Sequence, residues 1–400
     1  MNRVRRNKNA IGKGGNVTRL IQSRLIQTLH VFLAAGAIFV AGAADVQAQQ
    51  YLYTNNNVAG GGNSTTALTV YPQGTVKVIK TYPTGGKSAG SSYFALSPIT
   101  SVKTRLGSCL FVSNGGDSTI AAFQMNLFDG TLTPVKGSPF SDGVSGSQHF
   151  GIGLAGAGSL LFAGNTNNNS ISVMGIDTRC SLDFITKVAV PLSPAGMKVT
   201  PNKKYLIVAY IGQVDSFSID YAKGSLTELG PFTPQGSAAG VEINCDGTIA
   251  YFGDAAANTQ VEAFSISSTG TLKEVENFTN SNGQSSNNVL LSVDGTHLYV
   301  SNTASNQITT LSVGNNGALT WDSTVKLNKP GLFALGLAMG TSGRDLFVAE
   351  QNNPEFIGVL ATVGNTVKEV TGSPFPVIKN GSDPFGLTAV PPRGCRLAEN

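Results

Sequence analysis

The chain offers little reactive chemistry, and its placement is informative. Of its three histidines, His149 ("SGSQHFGIG") and His297 ("VDGTHLYV") lie beyond the N-terminal 48 residues. Imidazole is the side chain whose charge changes near neutrality. His149 heads an apolar stretch and is therefore a ligand-binding candidate, with a hydrogen-bonded loop histidine as the plainer reading. His297 follows an Asp-Gly turn and reads as exposed. Two charges interrupt otherwise apolar stretches, Lys198 in "GMKVT" and Glu242 in "GVEIN". Such residues either pair with each other or line a channel, and both are candidates, as is Asn288 in "SNNVLLS". No strand–turn–helix context supports a nucleophile elbow, and no GxxxxGK string cradles phosphate. The glycines of "AGGGNS" from Ala59 join two strands rather than opening a helix. Neither a cofactor motif nor a Cys-x-x-Cys metal spacing occurs, so the expectation is no metal and no cofactor.

The elements that position these residues repeat. "LYVSNTASNQITTLSV" from Leu298 returns as "LFVSNGGDSTIAAF" from Leu110, "LFAGNTNNNSISV" from Leu161 and "LFVAEQNNPEFIGVL" from Leu346. Weaker copies begin at Leu52, Leu206 and Ala250. The spacings of 58, 51, 45, 44, 48 and 48 residues lie around the length of a propeller blade. Each copy is an alternating pair of strands around a small polar loop. An inner strand precedes it ("NVLLS" before the Leu298 copy) and an outer one follows ("LTWDSTVK"), with turn signals such as "VDGTH" and "GNNG" between. Seven copies of four strands predict an all-β, seven-bladed β-propeller. With 41% hydrophobic residues in regular alternation, disorder is excluded.

The order of the pieces predicts closure. The chain enters on a second strand at 51–54 with no inner strand before it, and ends with a spare inner strand at 385–390. One completing the other's blade removes the open edge.

Seven basic residues and an apolar stretch at 31–40 precede "VQA", ending at Ala48. That pattern is expected to be a cleaved export signal, leaving 49–400 as the propeller and a periplasmic or secreted product. The apolar stretch is shorter than the ~20 residues a spanning helix needs, so no membrane span is expected after cleavage. Without the first 48 residues the balance is 20 basic against 22 acidic, and nothing favours nucleic acid as a partner. Four cysteines, Cys109, Cys180, Cys245 and Cys395, allow three pairings in an oxidising compartment. Cys109–Cys395 is the preferred pair, because it would tie the closing blade to its neighbour.

The "LYVSN…ITTLSV" phrases, the "TPNKK" and "SVDGT" strand ends and the "GSPF" outer strands resemble the lactonase family of seven-bladed propellers. That family includes 6-phosphogluconolactonase-like and muconate-lactonising enzymes and related YVTN repeat proteins. The resemblance covers residues 51–392 and implies a His, a carboxylate and an Arg at set places, an acid–base group and a cation for an opening lactone. Those places align with Ala195, Asn288 and Thr303. All three depart from the pattern.

The loops of the rim carrying the 2–3 turns, such as "NTNNN" and "TASNQ", offer amides and hydroxyls but few charges. Such a surface suits a carbohydrate, a lactone, a cell-envelope polymer or a protein better than a phosphorylated sugar. Two functions are therefore expected: a ligand-binding propeller without the family's lactonase residues, or a sugar-lactone hydrolase with a displaced site using His149 or Glu242.

Overall fold

The computed structural model describes residues 49–57, 61–89, 96–148, 151–210, 212–234, 236–255, 258–329, 333–351, 356–377 and 386–391. The expected export signal, His149, Phe385 and Cys395 lie outside the described residues. Seven antiparallel sheets of four strands form the seven blades of a propeller, two of them with a split outer strand. The innermost strands are Gly386–Val390 in blade 1, Ile99–Lys103 in blade 2, Ile152–Ala157 in blade 3 and Pro194–Val199 in blade 4. Ala238–Ile243, Ser286–Leu291 and Phe333–Met339 serve blades 5, 6 and 7.

The burial of each strand follows from its place in the blade. Second strands such as Leu160–Asn165 and Tyr205–Tyr210 are buried throughout, because both faces meet a neighbouring sheet. This is why they read as unbroken apolar phrases. Outer strands alternate, as Leu272–Gln284 does, with one face open to water. The core is accordingly seven clusters, one between each pair of blades. Tyr53, Leu110, Phe123 and Val390 fill the space between blades 1 and 2, and Leu346, Val348, Ile308 and Leu327 that between blades 6 and 7.

The ring closes as its strand order requires. Gln50–Asn55 pairs with Gly386–Val390 in antiparallel register, Tyr51 opposite Val390 and Asn55 opposite Gly386. In blades 2 and 7 the outer strand is broken into Leu132–Pro134 with Phe140–Ser141, and Thr366–Glu369 with Phe375–Pro376. The repeated "GSPF" makes the break. Gly137 and Gly372 take positive φ angles of 90° and 89°. The hydroxyls of Ser138 and Ser373 then accept the Ala122 and Val359 N–H groups (2.9 Å each) that the interrupted ladder would leave unpaired.

The preferred cysteine pairing is corrected. Cys109 is bonded to Cys180 of blade 3, not to Cys395. Along Ser108–Asn114, Leu110 and Val112 face blade 1, whereas Cys109 and Phe111 face blade 3. Strand alternation turns the Cys109 sulfur away from the closing blade. Cys245 is also disulfide-bonded. Among the described residues no helix is long and apolar enough to cross a membrane.

Candidate functional site

All seven innermost strands contribute to one axial cavity of about 350 Å³. Its wall is mostly apolar side chains and glycine, with Ser97, Thr100, Thr388 and Asn288 supplying neutral polar groups. Among the described residues two charged side chains line it, Lys198 and Glu242. They meet across blades 4 and 5, Lys198 Nζ lying 2.7 Å from Glu242 Oε1. The Ile243 N–H also donates to that oxygen (2.8 Å). Glu242 is wholly buried while the Lys198 side chain is 39% exposed, so the carboxylate anchors the ammonium and the ammonium faces the cavity. Two donors therefore converge on one Glu242 oxygen.

Asn288 stands nearer the opposite mouth, third in its strand where Lys198 and Glu242 are fifth in theirs. Register places it level with Gly196, Gly240 and Gly336 of blades 4, 5 and 7. Neighbouring inner strands come so close here that a Cβ at Gly196 would collide with the Ala239 carbonyl, and one at Gly240 would lie 2.6 Å from the Asn287 carbonyl. Blade 6 alone among these four puts a side chain in this layer. The Asn288 Oδ1 accepts the Val289 N–H (3.0 Å), which leaves the amide NH2 as the group offered to a ligand.

Ala195 and Thr303, the other positions the resemblance points to, make backbone-level contacts. Ala195 is buried, and its carbonyl accepts the Leu96 N–H (2.7 Å). The Thr303 hydroxyl donates to the Ala334 carbonyl (2.7 Å) and accepts from the Asn287 amide (2.6 Å). His297 is half-buried on the opposite rim, held between Thr296 (2.8 Å) and Asn365 (3.2 Å). Ser88 is the centre of "GKSAG", which spells GxSxG, but it follows an outermost strand, and His297, the one histidine among the described residues, is on the far rim.

The amide-rich rim offers less to a ligand than its composition suggests. Asn55, Asn114, Asn165 and Asn302, which end the repeated second-strand phrase, are wholly buried. Three of them donate to hydroxyls of the next strand: Asn114 to Thr119 (3.0 Å), Asn165 to Ser172 (2.9 Å) and Asn302 to Thr309 (2.8 Å). Aligning the repeats shows the residues that single-site reasoning missed. Blade 7 has Glu350 in the asparagine's place, and blade 5 has Asp254.

The sequence matches the family described as "Lactonase, 7-bladed beta-propeller" over residues 102–243 and 244–362. The chain belongs to this lactonase family. Among solved structures, this lactonase-family propeller is similar to a Bacteroides fragilis protein provisionally named a 6-phosphogluconolactonase. The two share 18% identity with a TM-score of 0.69, covering 86% of this chain and 99% of that one. It is also similar to the Pseudomonas aeruginosa periplasmic gluconolactonase PpgL, at 17% identity and TM-score 0.66, covering 87% and 99%. At such identities the likeness establishes the fold. Among curated protein sequences none matches the chain.

Proposed function

We propose that this lactonase-family propeller binds an uncharged polyhydroxylated ligand, a sugar or sugar lactone, end-on at the axial cavity, without the family's hydrolytic chemistry. One observation carries the reading: the charged groups of the cavity wall among the described residues are one carboxylate and one ammonium, paired with each other. Opening a lactone at useful speed needs a base for the attacking water and a cation or donor pair for the oxyanion. Asn288, Ala195 and Thr303 supply no base and no cation. A neutral ligand needs only hydroxyl and amide partners, which Asn288, Ser97, Thr100 and Thr388 offer.

Export is part of the proposal. It is supported by the basic-then-apolar N-terminus and by oxidised Cys109, Cys180 and Cys245, since structural disulfides persist in oxidising compartments.

Titration calorimetry tests the binding reading with glucose oligomers, gluconate and 6-phosphogluconate. Neutral sugars are expected to bind at least tenfold more tightly than 6-phosphogluconate, and Asn288→Leu is expected to abolish that binding. Tighter binding of the phosphorylated ligand, or indifference to Asn288→Leu, contradicts the proposal. Hydrolysis is the second reading, favoured by family membership and by the partly exposed Lys198 ammonium, which could hold an oxyanion.

A further inference from the structure

The blades of one chain serve as internal comparisons. The buried asparagine that ends the second strand meets a hydroxyl on the third, either directly opposite (Thr119) or two residues on (Ser172, Thr309). Blade 7 changes both partners. Glu350 takes the asparagine's place, with Phe356 opposite and Gly358 two residues on. Glu350 is wholly buried, and among the described residues neither carboxyl oxygen has a hydrogen-bond partner. Gly358 makes the room, since a Cβ there would collide with Glu350 Oε1.

The surroundings are specific. Phe356 forms the rim side of the site, and the Lys329 ammonium rests on its ring, 3.1 Å from the centroid. Among the described residues, Lys329 and Glu369 are the charged groups that act on Glu350. Glu369 is itself engaged by the Asn328 N–H (2.5 Å) and the Ser373 hydroxyl (2.9 Å). The blade 6 strands packed on this face bring Tyr299, Ile308 and Ser301, and the inner strand of blade 7 brings Ala334; of these Tyr299 alone titrates, and burial pushes its hydroxyl up to about 12. Burial first, and then the Glu369 charge, push the Glu350 carboxyl up to about 8, with Lys329 opposing.

We infer that blades 6 and 7 share a protonation-sensitive latch on the ligand rim: neutral Glu350 is sealed beneath Phe356 with Lys329 on the ring, and proton loss draws Lys329 off the ring toward the carboxylate. The exchange replaces a cation–π contact with an ion pair, and among the described residues Lys329 is the cation that acts on the bare carboxylate. The latch adjoins the cavity wall. Ala334 pairs with Glu350, its carbonyl is held by Thr303, and the Leu335 carbonyl is held by Ser301 (2.8 Å). Gly336 through Met339 then line the cavity. The inference is independent of what the cavity binds.

Lysine ring-current shifts read the latch directly. In protein labelled with ¹³C-lysine, one ε-methylene resonance, absent from Lys329→Ala, is expected far upfield at pH 6. It should return to the ordinary position with a midpoint near pH 8. In Glu350→Gln it should stay upfield to pH 10. A Lys329 resonance that does not move between pH 7 and 9, or moves equally in Glu350→Gln, overturns the latch. Should that variant fail to fold, ¹³C-glutamate labelling of the unmutated protein decides. A Glu350 carboxyl midpoint coinciding with the Lys329 transition supports the latch, and one below about 6 overturns it.

Discussion

Asp142 shows how single residues answer to their surroundings. It is wholly buried near the rim of blade 2, where its Oδ1 accepts the Val144 N–H (2.9 Å) and its Oδ2 has no partner among the described residues. Burial outweighs that bond and pushes its carboxyl up to about 7. Below about pH 4 folded and unfolded chains both hold the proton, and Asp142 does not affect stability. As pH rises from 4 to 7 the unfolded chain loses the proton while the folded one keeps it. Stability then falls by up to about 1.4 kcal/mol per pH unit and levels off above 7. Asp142→Asn keeps the oxygen that Val144 needs and removes the titration. Thermal unfolding is therefore expected to show no gain at pH 4 and a gain on the order of 2–4 kcal/mol at pH 7.5. A gain independent of pH would refute the assignment. The pairing of Lys198 with Glu242 was legible in sequence, because two opposite charges sat in matching apolar strands. The disulfide was misread because sequence position alone did not tell which face of its strand Cys109 occupies.

At the scale of elements, the blade count and the closing seam could be read from the chain because strand phrases recur and one inner strand is missing at the start and surplus at the end. The broken outer strands could not, since "GSPF" resembles a strand end until its serine is seen to accept a third-strand N–H. Truncation after Lys379 removes Gly386–Val390, exposing Tyr53 and Leu52 along an open edge. The expected result is a melting temperature lowered by at least 10 °C, together with aggregation. An unchanged melting temperature would contradict the closure. The Cys109–Cys180 bond closes a 71-residue separation between blades 2 and 3. By chain entropy such a loop stabilises by roughly 4 kcal/mol. The Cys109→Ala/Cys180→Ala double variant is expected to lose about 2–4 kcal/mol in denaturant unfolding, with the denaturant dependence also steeper as the unfolded chain expands.

For the whole molecule, family and function separate. The propeller and its lactonase membership follow from repeated strands, and one fold hosts many activities. The rim's asparagines looked like ligand-binding groups in sequence, but burial commits most of the repeated ones to holding blades together. The axial cavity offers a ligand a paired carboxylate and ammonium and a few neutral donors. The most direct test is to follow opening of glucono-1,5-lactone and 6-phosphogluconolactone at neutral pH with purified protein, corrected for spontaneous hydrolysis. Missing oxyanion help costs roughly a hundred- to a thousandfold in rate, and missing acid–base help about a hundredfold or more. Rates indistinguishable from buffer are expected for both lactones. Turnover near the usual range of about 1–1,000 per second that is lost in Lys198→Met would contradict that expectation and make the cavity an active site.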